Sequence, residues 1–371
     1  MIAVAGASGS VGRWAVGELT RMGIGPVRLG GRRVDALRQI ADETPEAQPF
    51  PFDLDDPESV ARFCDGCTAV LNCAGPSYLI LDTLARAAIA AGAAYVDVSG
   101  DEPVHRRLTS ADCAGTVVLS AGMLPGLSSL IPRWMATEMD KVDSLSTYIG
   151  GLERCSPSSA TDMILSMHTD DGDDYGHALA GWRNGRLAEK VLRPQKDVEV
   201  PFFPDRVSAH PFFSGESARL ATAIGADTMD FWNVFVGDRL VTTFTRMRSR
   251  PVAGEEMDRA VAELTRAAEL DLFGREPYYA LVFRMTGVVG GRSVVRTAAL
   301  RTGDAYRLIA TVGALAVQAV VEGGVGRGVG YAADVLDPGQ VVAEVRHSPA
   351  VTAFELVDHA ETHEGMEDGT V

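Results

Sequence analysis

Lysine is nearly absent from this chain: of its 34 basic residues only Lys141, Lys190 and Lys196 are lysines. The scarcity excludes a mechanism. A tyrosine whose proton is tuned by a lysine four residues later needs a Tyr-x-x-x-Lys pair, and the corresponding positions hold Thr137, Arg186 and Leu192. The acid–base machinery of short-chain dehydrogenases is therefore missing. No Gly-x-Ser-x-Gly elbow occurs either, which removes the usual serine-hydrolase arrangement. Five cysteines (Cys64, Cys67, Cys73, Cys113 and Cys155) in 371 residues make no disulfide framework. The pair Cys64-Asp65-Gly66-Cys67 has no second pair and no histidine at zinc spacing, and reads as a turn, so no metal is expected.

Long apolar runs and cationic leaders are also lacking. The most apolar stretch, Leu308 to Val321, is interrupted by Gln318 and is short for a membrane span. Residues 1–5 already read as a core strand with no basic segment ahead of them, so a cytoplasmic protein is expected. A net charge of −16 argues against general affinity for nucleic acid or anionic membranes, while leaving room for a local basic pocket.

What is present is a globular composition, 46% hydrophobic and 23% charged, with length for two domains. The apolar run Met1 to Ala5 leads directly into Gly6-Ala7-Ser8-Gly9-Ser10-Val11-Gly12, and Trp14 to Met22 follows with helical spacing. A glycine-rich turn between a first strand and a first helix lets the backbone approach a pyrophosphate. The helix N-terminus then offers unpaired N–H groups and partial positive charge.

Strand and helix alternate through the first 126 residues. Strands are expected at Val27–Gly31, Gln48–Asp53, Ala69–Ala74, Tyr95–Ser99 and Thr116–Ser120, and helices at Val34–Ala41, from Pro57, and at Leu79–Ala91. Near-continuous apolar strands alternating with helices predict a doubly wound parallel sheet of the Rossmann type. From residue 127 to 304 the rhythm changes. Strands are expected at Val142–Leu152, Val198–Phe202, Asn233–Val236, Leu240–Phe244, Tyr279–Gly287 and Ser293–Arg301, with helices at Ala160–His168 and Glu255–Leu270. This predicts a second α+β domain on a mostly antiparallel sheet, serving substrate binding and dimerisation. The segment 305–358 opens with an apolar helix, Tyr306–Glu322, and is expected to return to the first domain. The acidic tail 359–371 is expected to be disordered.

Three further strand ends suit a dinucleotide. Gly30-Gly31-Arg32-Arg33 ends the second strand with two arginines and no acid, a preference for the 2′-phosphate of NADP over the free hydroxyl of NAD. Asp53-Leu54 ends the third, where a carboxylate can meet the adenine amino group. Cys73-Ala74-Gly75-Pro76 ends the fourth, where small residues permit close passage of ribose and pyrophosphate. Ser99 and Gly122 follow the fifth and sixth strands on the same edge. Asp97, Asp101 and His105 stand where the nicotinamide is expected, with Asp101 a candidate proton donor. A second group of polar residues lies at His168, Asp170, Asp171, Asp173, Asp174, Tyr175 and His177. The acidic run reads most simply as a solvated turn, and as a calcium loop it lacks the closing glutamate.

These pieces together resemble the saccharopine dehydrogenase-like reductases. The resemblance is carried by the glycine loop, Gly31-Arg32-Arg33, Leu71-Asn72-Cys73-Ala74-Gly75-Pro76, the run Ala90 to Asp101 and Ser120-Ala121-Gly122-Met123-Leu124-Pro125-Gly126. It extends more weakly to Trp182-Arg183-Asn184-Gly185-Arg186 and Tyr306-Arg307-Leu308. It implies a Rossmann domain with an inserted substrate domain, a homodimer, and NADP(H)-dependent reduction of a C=N bond. It also places Tyr175 and His177 near the cleft as proton donors. Two departures bear on substrate. Asp101 stands where relatives often carry Glu, and Leu79-Ile80-Leu81 where they often carry glycine. The leading expectation is reduction of an imine or ketimine, cyclic or derived from an amino acid. The alternatives are a trans-acting enoyl reductase on a lipid or carrier-bound chain, and a non-catalytic NADP-binding sensor.

Overall fold

The computed structural model describes residues 1–111, 114–166, 176–247 and 254–360. The first domain runs β1 (Ile2–Ala5), α1 (Ser10–Arg21), β2 (Val27–Gly31), α2 (Val34–Glu43), β3 (Ala47–Pro51), α3 (Pro57–Cys64), β4 (Ala69–Asn72), α4 (Ser77–Ile80), α5 (Thr83–Ala90), β5 (Ala94–Asp97), α6 (Glu102–Ser110) and β6 (Thr116–Leu119). Its central strands β1 and β4 are buried on both faces. Ile2 and Val4 of β1 point into one core and Ala3 and Ala5 into another, as the two-residue period of a strand requires. Helix starts follow local chemistry: Asp56 accepts a hydrogen bond from the Glu58 N–H and Pro57 occupies the first turn of α3. The expected helix over Leu79–Ala91 is broken at Leu81, whose φ of 48° lies in the left-handed region, into α4 and α5.

The second domain contains α7 (Leu127–Ala136), β7 (Lys141–Leu152), α8 (Pro157–Leu165), β8 (His177–Ala178), β9 (Gly181–Arg183), β10 (Arg186–Ala188), β11 (Gln195–Val198), β12 (Val207–Phe213), α9 (Gly215–Ala223), β13 (Thr228–Phe235), α10 (Arg239–Met247), α11 (Glu255–Leu272), β14 (Tyr278–Val289) and β15 (Arg292–Thr302). The chain then forms α12 (Ala305–Val321), β16 (Gly328–Tyr331), α13 (Ala332–Val335), α14 (Pro338–His347) and β17 (Val351–Ala360).

Seven parallel strands in the order β16-β6-β5-β4-β1-β2-β3 make the first sheet. The order reverses between β1 and β4, which places the ligand crevice of such a fold outside the carboxyl ends of these two strands. The second sheet has ten strands, antiparallel except for the β13–β7 pair. Its inner face (Leu145, Ile149, Phe231, Leu281, Phe283) shares one continuous core with β1, α7 and α12. The two domains are thus joined by buried apolar side chains, each worth roughly 1.5–3 kcal/mol when fully buried.

Several expectations are corrected. Leu240–Phe244 is helical, inside α10, because Asp271 of α11 accepts hydrogen bonds from the Arg239 and Leu240 N–H groups at 3.2 and 2.8 Å and so starts a helix there. The strand expected at Val198–Phe202 ends at Val198, and Phe202 has a φ of 70°. β16 adds a seventh strand that a four-residue, glycine-containing segment does not announce. In the segment 305–358, α12 packs on α1, β4 and β5 and β16 joins the first sheet, whereas β17 pairs with β15 of the second. That strand extends through His359 and Ala360, two residues into the tail expected to be disordered. Its remainder lies outside the described residues. Among those residues, no helix is long and apolar enough to cross a membrane.

Candidate active site

The glycine loop is held tightly before any ligand arrives. Gly6 turns the chain out of β1 with a φ of 72°, and a Cβ there would stand 2.8 Å from the Ala74 backbone. A Cβ on Gly12 would collide with the Gly6 carbonyl, so α1 can begin this close to the loop only with glycine. The Ala7 N–H donates to the Gly30 carbonyl at 3.0 Å and the Gly9 N–H to the Gly6 carbonyl at 2.8 Å. No side chain caps α1 and no acid lies in its first turn, leaving its N-terminus to an anion. Ser8 and Val11 are half-buried, Gly9 and Ser10 exposed.

Beside the loop, Arg33 donates from Nη2 to the Ser8 carbonyl at 3.2 Å, bridging the end of β2 to the glycine turn. Arg32 is exposed next to it. Asp53 is exposed and its carboxylate accepts the Asp55 N–H at 3.1 Å, an Asx turn, while Leu54 packs half-buried on the Phe52 and Phe63 cluster.

The end of β4 is shaped by Asp97. Its carboxylate accepts from Asn72 Nδ2 at 2.9 Å, from the Tyr95 hydroxyl at 2.6 Å, and from the Ser99 and Gly100 N–H groups at 2.9 and 2.7 Å. Asn72 in turn accepts the Ala74 N–H at 3.0 Å, which sets the course of Cys73-Ala74-Gly75-Pro76. Burial pushes the Cys73 thiol up, and Asp97 adds to the shift.

Here the second domain arrives. A Cβ on Gly75 would strike Ser158 Oγ of α8. Asp162 of the same helix accepts the Ser77 N–H at 3.1 Å and the Tyr78 N–H at 3.2 Å, and burial lifts its carboxyl to about 6 against those two hydrogen bonds, with Asp97 raising it further. At the start of α8, the Ser156 N–H donates to the Tyr306 hydroxyl at 2.9 Å, and that hydroxyl donates to the Arg154 carbonyl at 3.1 Å. Next to it in α12, the Arg307 guanidinium lies 4.6 Å from the Trp14 ring centre, two residues past Gly12. Successive contacts therefore link Trp14 to Arg307, Tyr306 to the start of α8, and α8 to the Gly75–Pro76 turn. Glu153, behind Tyr306, is pushed up to about 8 by burial and the nearby Asp304, opposed by a hydrogen bond from the Ala305 N–H.

Of the expected proton donors, Asp101 and His177 lie among the described residues. Asp101 forms an ion pair with Arg219 of α9; burial raises its pKa and Arg219 opposes the rise. Arg219 also donates to Glu102 at 3.0 Å and lies 3.6 Å from the Tyr331 ring centre, and His105 stacks on that ring at 4.8 Å. Buried Glu216 accepts the Gly126 N–H and the Ser128 and Ser129 hydroxyls, capping α7. Gly122 passes so near β5 that a Cβ would collide with the Val98 carbonyl. Ser99 is exposed. His177, in β8, is half-buried with Nδ1 3.6 Å from Glu189. Tyr175, with His168, Asp170, Asp171, Asp173 and Asp174, lies outside the described residues. The sequence reading missed Ser158, Asp162, Tyr306, Glu216 and Arg219. Tyr306 lies in the Tyr306-Arg307-Leu308 piece of the resemblance, where it was given no role. The others sit in no motif, and the half-polar first turn of α8, Ser-Pro-Ser-Ser, is the one signal of a helix end directed toward a cleft.

A crevice of the dinucleotide-binding type thus lies outside β1 and β4, beside a second domain built on a mixed sheet. Residues 2–118 match the family model described as the saccharopine dehydrogenase NADP binding domain, which supports an NADP-dependent oxidoreductase. Its fold is similar to that of apo saccharopine dehydrogenase (L-Glu forming) from Saccharomyces cerevisiae, at a TM-score of 0.69 and 14% identity over 97% of this chain and 99% of that one. A myo-inositol dehydrogenase from Corynebacterium glutamicum matches at 0.46 and 11% identity, over 93% of this chain and 94% of that one. A triphenylmethane reductase from Citrobacter sp., complexed with NADP(H), matches at 0.29 and 18% identity, over 44% and 65%.

Proposed function

We propose that the protein reduces a C=N bond, an imine or ketimine, with NADPH. When bound, NADPH supplies a hydride to the imine carbon and leaves as NADP⁺; the nitrogen keeps the π electrons and the proton that made it an iminium. In this reading the Gly6–Gly12 loop and the start of α1 hold the pyrophosphate, and Arg32 and Arg33 grip the 2′-phosphate. Asp53 and Leu54 flank the adenine. Cys73, Ala74, Gly75, Pro76, Ser99 and Gly122 give close passage toward the nicotinamide. The observation that carries the proposal is the character of the rim at the end of β4: a carboxylate and hydroxyls (Asp162, Ser158, Tyr306) rather than a tuned lysine–tyrosine pair. Such a set orients an already protonated nitrogen without needing a strong acid.

The enoyl-reductase reading keeps one favourable observation. Leu79 and Leu124 are 64% and 37% exposed, at the turns after β4 and β6, and would suit an apolar chain. Loss of NADPH absorbance with panels of cyclic imines, ketimines and conjugated alkenes separates the readings. Turnover of imines is expected, and reduction of alkenes alone would overturn the proposal. Cofactor binding without any turnover would instead favour the sensor.

A further inference from the structure

We propose that Asp162 is the specificity-determining group of the cleft, selecting a substrate that is positively charged at the reacting nitrogen. The inference rests on the C=N reading and adds the charge state of the substrate and the residue that reads it.

Position comes first. β4 lies on the far side of the strand-order reversal from β2 and β3, so its carboxyl end borders the nicotinamide half of the crevice. Asp162 reaches this end from the other domain, bound to the two N–H groups that follow Gly75–Pro76. Each carboxylate oxygen takes one of those bonds, and a carboxylate oxygen can accept about two. One acceptor site on each oxygen is thus left for a ligand N–H.

Charge is the second point. Among the described residues no Arg, Lys or His forms an ion pair with Asp162. The charged group that acts on it is Asp97 of β5, of the same sign. α4 contributes Tyr78, while α11 packs Met257, Ala260, Val261 and Leu264 on the Ala160–Ile164 face of α8, with no charge on that side among the described residues. Among the described residues the charge that acts on this half-buried carboxylate is another carboxylate, which disfavours its ionised form, and a cation entering the cleft supplies the counter-charge. Asp101 contrasts with it, being neutralised inside the protein by Arg219. The cleft therefore provides a charge deficit at one place, and that place is where the reacting bond must lie.

The test uses full-length protein loaded with NADP⁺ and pyrrolidine, the amine formed when pyrroline is reduced, with piperidine and benzylamine as larger cations. Binding is measured by calorimetry between pH 5 and pH 8. In the wild type, amine affinity should rise about tenfold or more as pH passes through about 6, where Asp162 ionises. In Asp162→Asn and Asp162→Ser, affinity should be about tenfold weaker with no such limb, and NADP⁺ affinity should be unchanged. Both side chains keep an acceptor for one of the two backbone N–H groups, so folding is preserved in at least one. A variant that melts earlier yet keeps the pH limb would make Asp162 a cap alone and overturn the inference, as would equal amine binding by wild type and variants. Imines reduced equally well by wild type and both variants would overturn it while leaving the C=N reading standing. Reduction of neutral alkenes alone would remove the reading itself.

Discussion

Along β1, β2 and β3 the crevice is bordered by backbone and by two exposed arginines, whereas the end of β4 meets side chains that arrive from another domain, among them Asp162, whose pKa burial raises. The first side is built by geometry: a tight loop and an uncapped helix start. The second binds by charge and depends on how α8 and α12 are held. In the proposed reading, cofactor recognition is local in sequence, while substrate recognition is assembled over long sequence distances.

The sharpest way to break the backbone-built side is Gly12→Ala. The added methyl must displace the Gly6 carbonyl or the start of α1. Strain of about 2–3 kcal/mol would weaken NADPH binding roughly 30- to 150-fold in calorimetry. Near-normal affinity would mean that the loop is softer than its packing implies. A smaller effect is expected from Arg32→Ala or Arg33→Ala, about 1.5 kcal/mol or roughly tenfold in NADPH affinity per arginine, with little change for NADH. Equal losses for both cofactors would assign the arginines to general electrostatics rather than to the 2′-phosphate.

The side-chain-built side is probed most gently by Glu153→Gln. The folded pKa of Glu153, about 8, lies above its ordinary value of 4.5, so the native state holds a proton that the unfolded chain releases. Its stabilising contribution is complete below that ordinary value and is lost as pH rises through about 8. Glutamine keeps the neutral form at every pH. Urea midpoints measured across this range should therefore fall with pH in the wild type and fall less steeply in the variant. Parallel slopes would show that the group titrates normally.

The legibility of the two sides differs for the same physical reason as their construction. The β1–loop–α1 unit is specified within about twenty consecutive residues, by strand period, glycine placement and an uncapped helix start, so each piece is visible in order. Arg32 and Arg33 are legible because strand ends in a parallel sheet share one edge. Asp162 was invisible because its partners, Ser77 and Tyr78, lie 85 and 84 residues away and nothing in Ala-Thr-Asp-Met distinguishes a capping carboxylate from a solvated one. Asp101 looked available for the same reason reversed. Its partner Arg219 is 118 residues distant, and only the fold brings them together. α10 was misread as a strand because the cap that makes it helical comes from Asp271, on another helix.

By itself the sequence determined the parallel sheet, the phosphate-accepting loop and the preference for NADP, since each follows from neighbours along the chain. Only the tertiary structure decided which carboxylates are neutralised and which, among the described residues, have no ion-pair partner. An ionisable side chain takes its character from burial and from charges within a few ångströms, and in this chain those neighbours come from residues scores of positions apart.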